Sequence, residues 1–136
     1  MRKKLTCSAR QYLNVPFRHQ GRNSHIGLDC IGLIMLAAKE IGINLIDEKD
    51  YPRIPQGDYF LNKITSQLPE KLTKDITEGD MILFNINGAP SHVGLITIHD
   101  NEPYIIHSYA PLKKVVEHRL TDDWIQKIHS IYNIIN

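Results

Sequence analysis

Gly27-Leu28-Asp29-Cys30-Ile31-Gly32-Leu33-Ile34 is the stretch from which the fold can be read, because a turn runs straight into an apolar segment with a thiol at the junction. From Cys30 to Ile41 almost every residue is apolar: Ile31, Leu33, Ile34, Met35, Leu36, Ala37 and Ala38 lead to Ile41. Leu, Met and Ala favour a helix, and the length exceeds that of a typical strand. A helix apolar on all sides is a central, buried one. Asp29 is a suitable N-cap and Gly42 a suitable stop. Cys30 is therefore expected at the N-terminus of the helix around which the core is built.

Upstream, Thr6 is read as the cap of a short helix through Leu13, with Ala9, Tyr12 and Leu13 facing inward and Pro16 stopping it. The segment from Val15 to Gly27, with its proline and two glycines and no sustained period, reads as a loop. Downstream, residues 43–58 carry prolines at 52 and 55 and read as mostly irregular. A helix is expected at about 57–67, where Phe60, Leu61, Ile64 and Leu68 recur at helical spacing.

Beyond Glu78-Gly79-Asp80 the period changes. Met81–Ile86 and Ser91–Ile98 read as strands, and Asp100-Asn101-Glu102 turns the chain back into a third over Pro103–Tyr109. Val115–Leu120 makes a fourth, Asp122–Lys127 a helical turn around Trp124, and Ile128–Ile135 a closing strand. Helices first and strands after imply an α+β domain with an antiparallel sheet of about five strands.

The whole chain is consistent with one domain spanning 1–136. Its hydrophobic content of 42% and charged content of 23% are those of a globular protein. Sixteen basic against 15 acidic residues leave a formal charge of +1, which gives no electrostatic case for nucleic acid or a membrane surface. The basic start, Met1-Arg-Lys-Lys, lacks the apolar stretch of a signal peptide, and the run Ile31–Ala38 is too short to cross a bilayer. Synthesis in the cytoplasm with two free thiols is the expectation, since two cysteines make no disulfide framework.

A thiolate attacks carbonyls where a thiol barely does, so a nucleophilic cysteine needs a device that favours the charged form. A helix N-terminus is one, and its free N–H groups also suit the oxyanion of an acyl-transfer intermediate. Free cysteine is equally among the most buried residue types, so position alone leaves Cys30 readable as a packing residue. The histidines shift the balance. A hairpin centred near residue 100 pairs positions whose numbers sum to about 200, which sets His92 beside His107 on neighbouring strands. One imidazole can then take the thiol proton while the other orients it. Gly94, two residues on from His92, is read as leaving room for a helix to approach.

Gly27-Leu-Asp-Cys-Ile-Gly-Leu33, Ser91-His-Val-Gly-Leu95 and Ile105-Ile-His-Ser108, in that order, resemble the NlpC-type family of papain-like cysteine peptidases, over about Ala9 to Ile131. The resemblance implies a papain-like fold in which a helix bearing the nucleophile packs on an antiparallel sheet bearing its partners. It implies that Cys30 is the nucleophile, His92 the general base and His107 the residue that orients the base. It further implies a peptidoglycan stem peptide as substrate, cut next to a D-amino acid, often between D-glutamate and diaminopimelate or lysine. No cofactor is called for.

Two positions depart from the family pattern. Ile31 stands where Ser commonly follows the nucleophile, and Phe17 follows Pro16 where the family often has a Tyr whose hydroxyl lies near the thiol. Tyr12 is a candidate to stand in for that hydroxyl. Phe17, Arg18, Asp29, Ser91 and Tyr12 are the candidate substrate contacts, with Arg22 also beside the expected cleft. Val15-Pro-Phe-Arg-His-Gln-Gly-Arg22, in a short chain without a wall-binding module, is similar to the phage-associated branch. That likeness implies phage tail partners and delivery to the wall in a particle or after lysis.

His19, His25 and Cys30 are not read as a metal site, because the spacing is loose and a ligand thiolate would be lost as a nucleophile. His99, His118 and His129 are read as surface or strand-edge residues, and Trp124 and Tyr132 as core.

Overall fold

A computed structural model describes residues 1–47 and 64–135. In chain order they form α1 (Arg2–Arg10), β1 (Arg22–Asn23), β2 (Gly27–Leu28), α2 (Cys30–Glu40), β3 (Asp80–Ile86), β4 (Ala89–His99) and β5 (Glu102–Tyr109). A 3-10 turn (Ala110–Leu112), β6 (Lys114–Arg119), α3 (Asp122–Ile125) and β7 (Ile128–Asn133) follow. Five strands make one antiparallel sheet in the order β6-β5-β4-β3-β7. The α+β, papain-like arrangement expected from the sequence is the one observed. The helix expected at 57–67 falls mainly outside the described residues; of it, Ile64 and Thr65 are helical and Ile64 is buried. The irregular stretch read over 43–58 is described only as far as residue 47.

The sheet alternates strictly enough to have two different faces. Met81, Leu83, Val93, Leu95, Ile106 and Val115 point to one side, where they meet Leu5 and Ala9 of α1 and the apolar length of α2. Leu33 and Ile34 are fully enclosed there, and each such burial is worth about 1.5–3 kcal/mol over exposure. On the other side Ile82, Phe84, Ile96, Ile105 and Ile131 form a smaller cluster, with Trp124 of α3 packed against it.

Asp100 and Asn101 both have positive φ, 52° and 64°, as the primed two-residue hairpin turn requires. That turn sets the β4–β5 register from His99 opposite Glu102 to Leu95 opposite Ile106.

Two local expectations are corrected. The first helix runs over Arg2–Arg10, and Met1, not Thr6, is its N-cap. Tertiary bonds hold its start: Arg2 donates to Asp80 Oδ1 (3.0 Å), Asn133 Oδ1 (2.9 Å) and the carbonyls of Glu78 and Ile135. Thr6 is buried mid-helix and donates to Glu78 Oε2 at 2.9 Å. The segment expected as a loop over 15–27 carries the β1–β2 pair, Arg22 opposite Leu28, and bridges from Pro16 to Lys114 and from Phe17 to Leu28. It is a stitched segment that brings the chain to α2 at a fixed angle. Among the described residues no helix is long and apolar enough to cross a membrane.

Candidate active site

Cys30 is the first residue of α2, and the cap before it is built as the sequence suggests. Asp29 Oδ1 accepts from the Gly32 amide at 2.7 Å and from Arg22 Nη1 at 2.9 Å, while Oδ2 accepts from the Gln20 amide at 3.0 Å. Asp29 is 5% exposed, so its carboxylate is enclosed by donors. It caps and anchors the helix and does not present itself to a substrate. Arg22 in turn holds Asp47 through Nε and Nη2, at 2.8 and 3.0 Å. Gly32 is required by close approach: a Cβ there would collide with the Gly21 carbonyl.

The N-terminus of α2 meets the sheet where the β4–β5 ladder ends. The ladder stops at the Leu95–Ile106 pair, and beyond it one group from each strand bonds the helix entry. Ser108 Oγ donates to Leu28 O at 2.6 Å, and the Val93 amide bonds the Cys30 sulfur. Burial pushes the Cys30 thiol up to about 12, and the charge of Asp29 adds to this, against the amides of Val93 and Ile31 and the Arg22 charge, which favour the thiolate. The resting group is a protonated thiol.

His92, the residue before Val93, and His107 come together as expected, by a different route. His92 Nε2 lies 2.7 Å from His107 Nδ1, with ring centroids 5.0 Å apart. The observed register puts Gly94, not His92, across from His107, so the two rings meet on a diagonal. Gly94 serves that diagonal and not a helix. A Cβ on it would come within 2.7 Å of Ile105 Cδ1 and 3.1 Å of His107 Cβ. His92 is 7% exposed and His107 fully buried. Burial pushes His92 down to about 3; burial, with the neighbouring His92 and His118, pushes His107 down to about 2. Both rings are neutral at physiological pH. The hydrogen bonds among the described residues run from His92 to His107 and onward, and none joins the Cys30 thiol to His92.

The remaining candidates separate. Phe17 is half-buried beside Leu28, with its amide on Lys113 O at 2.9 Å, and its ring offers no donor. Arg18 is exposed, and its amide bonds Leu28 O at 3.1 Å. Ser91 Oγ turns back to the carbonyls of Ala89 and Ile86 within its own hairpin. Tyr12 does not replace the missing hydroxyl. It donates to Glu40 Oε2 at 3.0 Å, at the opposite end of α2 from Cys30, roughly 15 Å along the helix axis.

Three residues that the sequence reading left out join the group. His118 is on the edge strand β6, as read, and its Nε2 lies 2.9 Å from His107 Nε2. Trp124 is only half-buried and is less a core residue than a cover, with its ring centroid 5.0 Å from that of His107, 6.1 Å from His92 and 5.9 Å from His118. Tyr109 stacks on His107 at 5.3 Å. The β5–β6 register that sets Ile105 opposite His118 depends on the 3-10 turn and the left-handed Lys113, which no alternation in the sequence announces.

A helix-borne thiol set against a sheet-borne histidine pair defines the class of papain-like proteins. The NlpC/P60 family model matches residues 14–132, so the chain belongs to that family, whose members are cell-wall hydrolases and amidases. Among solved structures it is similar to an NlpC/P60 family protein from Bacillus cereus ATCC 10987, with 20% identity and a TM-score of 0.75, covering 100% of this chain and 41% of that one. The NlpC/p60 domain of the peptidoglycan hydrolase SagA shares 14% identity with a TM-score of 0.67, each chain covered to 98%. An N-acetylmuramoyl-L-alanine amidase from Bacteroides uniformis ATCC 8492 shares 15% identity with a TM-score of 0.67, each covered to 96%. The chain thus spans less than half the length of the first of these. No curated protein matches the sequence.

Proposed function

We propose that the protein is a cysteine endopeptidase that hydrolyses peptide bonds in peptidoglycan stem peptides, of the D-glutamate to diaminopimelate or lysine type, through Cys30, His92 and His107. The observation that carries this reading is the buried 2.7 Å bond from His92 to His107, one residue along β4 from the amide that holds the Cys30 sulfur. In the reaction the Cys30 proton passes to His92 Nδ1 as sulfur bonds to the scissile carbonyl carbon. The negative charge on the carbonyl oxygen falls at the start of α2, where the Cys30 amide is the donor left once Asp29 has taken that of Gly32 and the sulfur that of Ile31. His92 then gives its proton to the departing amine as the C–N bond breaks, and water releases the thioester by the same steps in reverse. Because both partners rest neutral, the proton moves as the C–S bond forms and no separate ion pair precedes it. His107 holds the His92 ring throughout. The reaction would take place where the domain meets the wall, in a phage particle or after lysis.

Incubating wild type and Cys30→Ala with defined stem peptides tests this by mass spectrometry. Wild type is expected to release new amino termini and Cys30→Ala none, with an unchanged circular dichroism spectrum. A wild type that cuts no stem-peptide chemotype overturns it. Phe17 and the high thiol pKa favour a second reading, a groove that binds murein without cutting. Retention on murein by an inactive wild type would select it.

A further inference from the structure

Outside the three residues of the proposed triad, the best-defined polar arrangement on the same face of the sheet is the contact from His107 to His118 and from His118 to the backbone. We infer that His118 is a positioning residue whose bond to the Arg119 carbonyl fixes, through His107, which nitrogen of His92 is the free base; this rests on the triad proposed above. With one proton on each of the three rings, their hydrogen bonds have a single self-consistent polarity.

A backbone carbonyl can only accept, so His118 Nδ1, 2.8 Å from Arg119 O, carries a proton. A neutral imidazole carries one, so His118 Nε2 is bare and accepts from His107 Nε2–H at 2.9 Å. His107, fully buried and bonded to no carboxylate among the described residues, is neutral as well, and its Nδ1 is then bare. It accepts from His92 Nε2–H at 2.7 Å. His92 Nδ1 is left without a proton, and it is the one nitrogen in the series with no hydrogen-bond partner among the described residues. With one proton on each ring the reverse polarity fails at its far end, because it sets the bare His118 Nδ1 against the lone pairs of a carbonyl. Trp124 lies over all three rings and limits the water that could satisfy either tautomer.

The tautomer of each ring is read by long-range 1H–15N correlation on the full chain labelled at histidine, at neutral pH. The expected wild-type pattern is Nδ1–H on His118 and Nε2–H on His107 and His92. Wild type with Nδ1–H on His92 overturns the inference, whatever any variant does. His118→Phe, which removes the acceptor, is expected to give His92 as a mixture of tautomers and to lower kcat about tenfold or more at unchanged KM. His118→Gln, whose side-chain carbonyl can accept from His107, is expected to restore the Nε2–H form and most of kcat. A His118→Phe protein that keeps the wild-type His92 tautomer also overturns it. An inactive wild type that shows the expected pattern defeats the peptidase reading and leaves the relay standing.

Discussion

The two faces of the sheet each carry a histidine group, and the groups behave oppositely. On the α1 side, His99 Nε2 sits 2.8 Å from Glu117 Oε2, which also accepts from Thr97 Oγ1 at 2.6 Å and from Arg10 Nη2 at 3.2 Å. Burial works against the Glu117 charge, but the bonds from His99, Thr97 and Arg10 prevail and hold its carboxyl below the usual range. On the α3 side, among the described residues, His92, His107 and His118 have only each other, aromatic rings and one carbonyl. With no opposite charge to offset burial, the inner two rings stay neutral. The same residue type is thus part of a charged clamp in one place and of a buried, neutral group in the other, and its neighbours decide which.

The largest break in this comparison is catalytic. His92→Ala should lower kcat/KM on stem peptides by about 100- to 10,000-fold, while His99→Ala, on the opposite face, should leave it within about twofold. Equal losses from the two variants would mean that the faces are not functionally distinct.

Acid should separate the groups next. His92 and His107 have folded pKa values near 3 and 2, below the unfolded value of about 6.5, so the unfolded chain binds more protons between those limits. Stability is full above pH 6.5 and falls as pH drops toward 3, by up to about 1.4 kcal/mol per unit for each ring. Urea unfolding at pH 7 and pH 5 should differ by roughly 4 kcal/mol in wild type, and by about half that in His107→Gln. A wild type equally stable at both values would contradict neutral burial.

Smaller effects sharpen the geometry. Gly94→Ala puts a methyl group against Ile105 and His107 and should cost about 1–3 kcal/mol in denaturant unfolding, with loss of activity as the His107 ring shifts. Glu117→Gln should cost about 1–2 kcal/mol and leave activity as it was. Activity lost with Glu117→Gln would tie the clamp to the site.

Much of this was legible in the sequence wherever the cause is local. The apolar run after Asp29 made α2 and its cap readable, and Asp100-Asn101 made the β4–β5 hairpin readable, because capping and turn chemistry act over three or four residues. The meeting of His92 and His107 was legible only approximately. A shift of two in register turned an opposed pair into a diagonal one, with Gly94 in the space between. His118 was not legible, since its place depends on a 3-10 turn that alternation does not encode. Tyr12 was misread because its hydroxyl is claimed by Glu40, which the fold carries to the far end of the same helix.

By itself, then, the sequence named the candidate residues and the element that presents each: Cys30 on a capped helix, His92 and His107 on adjacent strands, and a family signature across all three. Tertiary structure alone decided how they are arranged. It sets Cys30 at the end of the β4–β5 ladder, buries two histidines without a counter-charge, and carries the His107 contact on to His118 and the Arg119 carbonyl. The reason is physical: propensity and capping depend on neighbours along the chain, whereas protonation state and tautomer depend on neighbours in space.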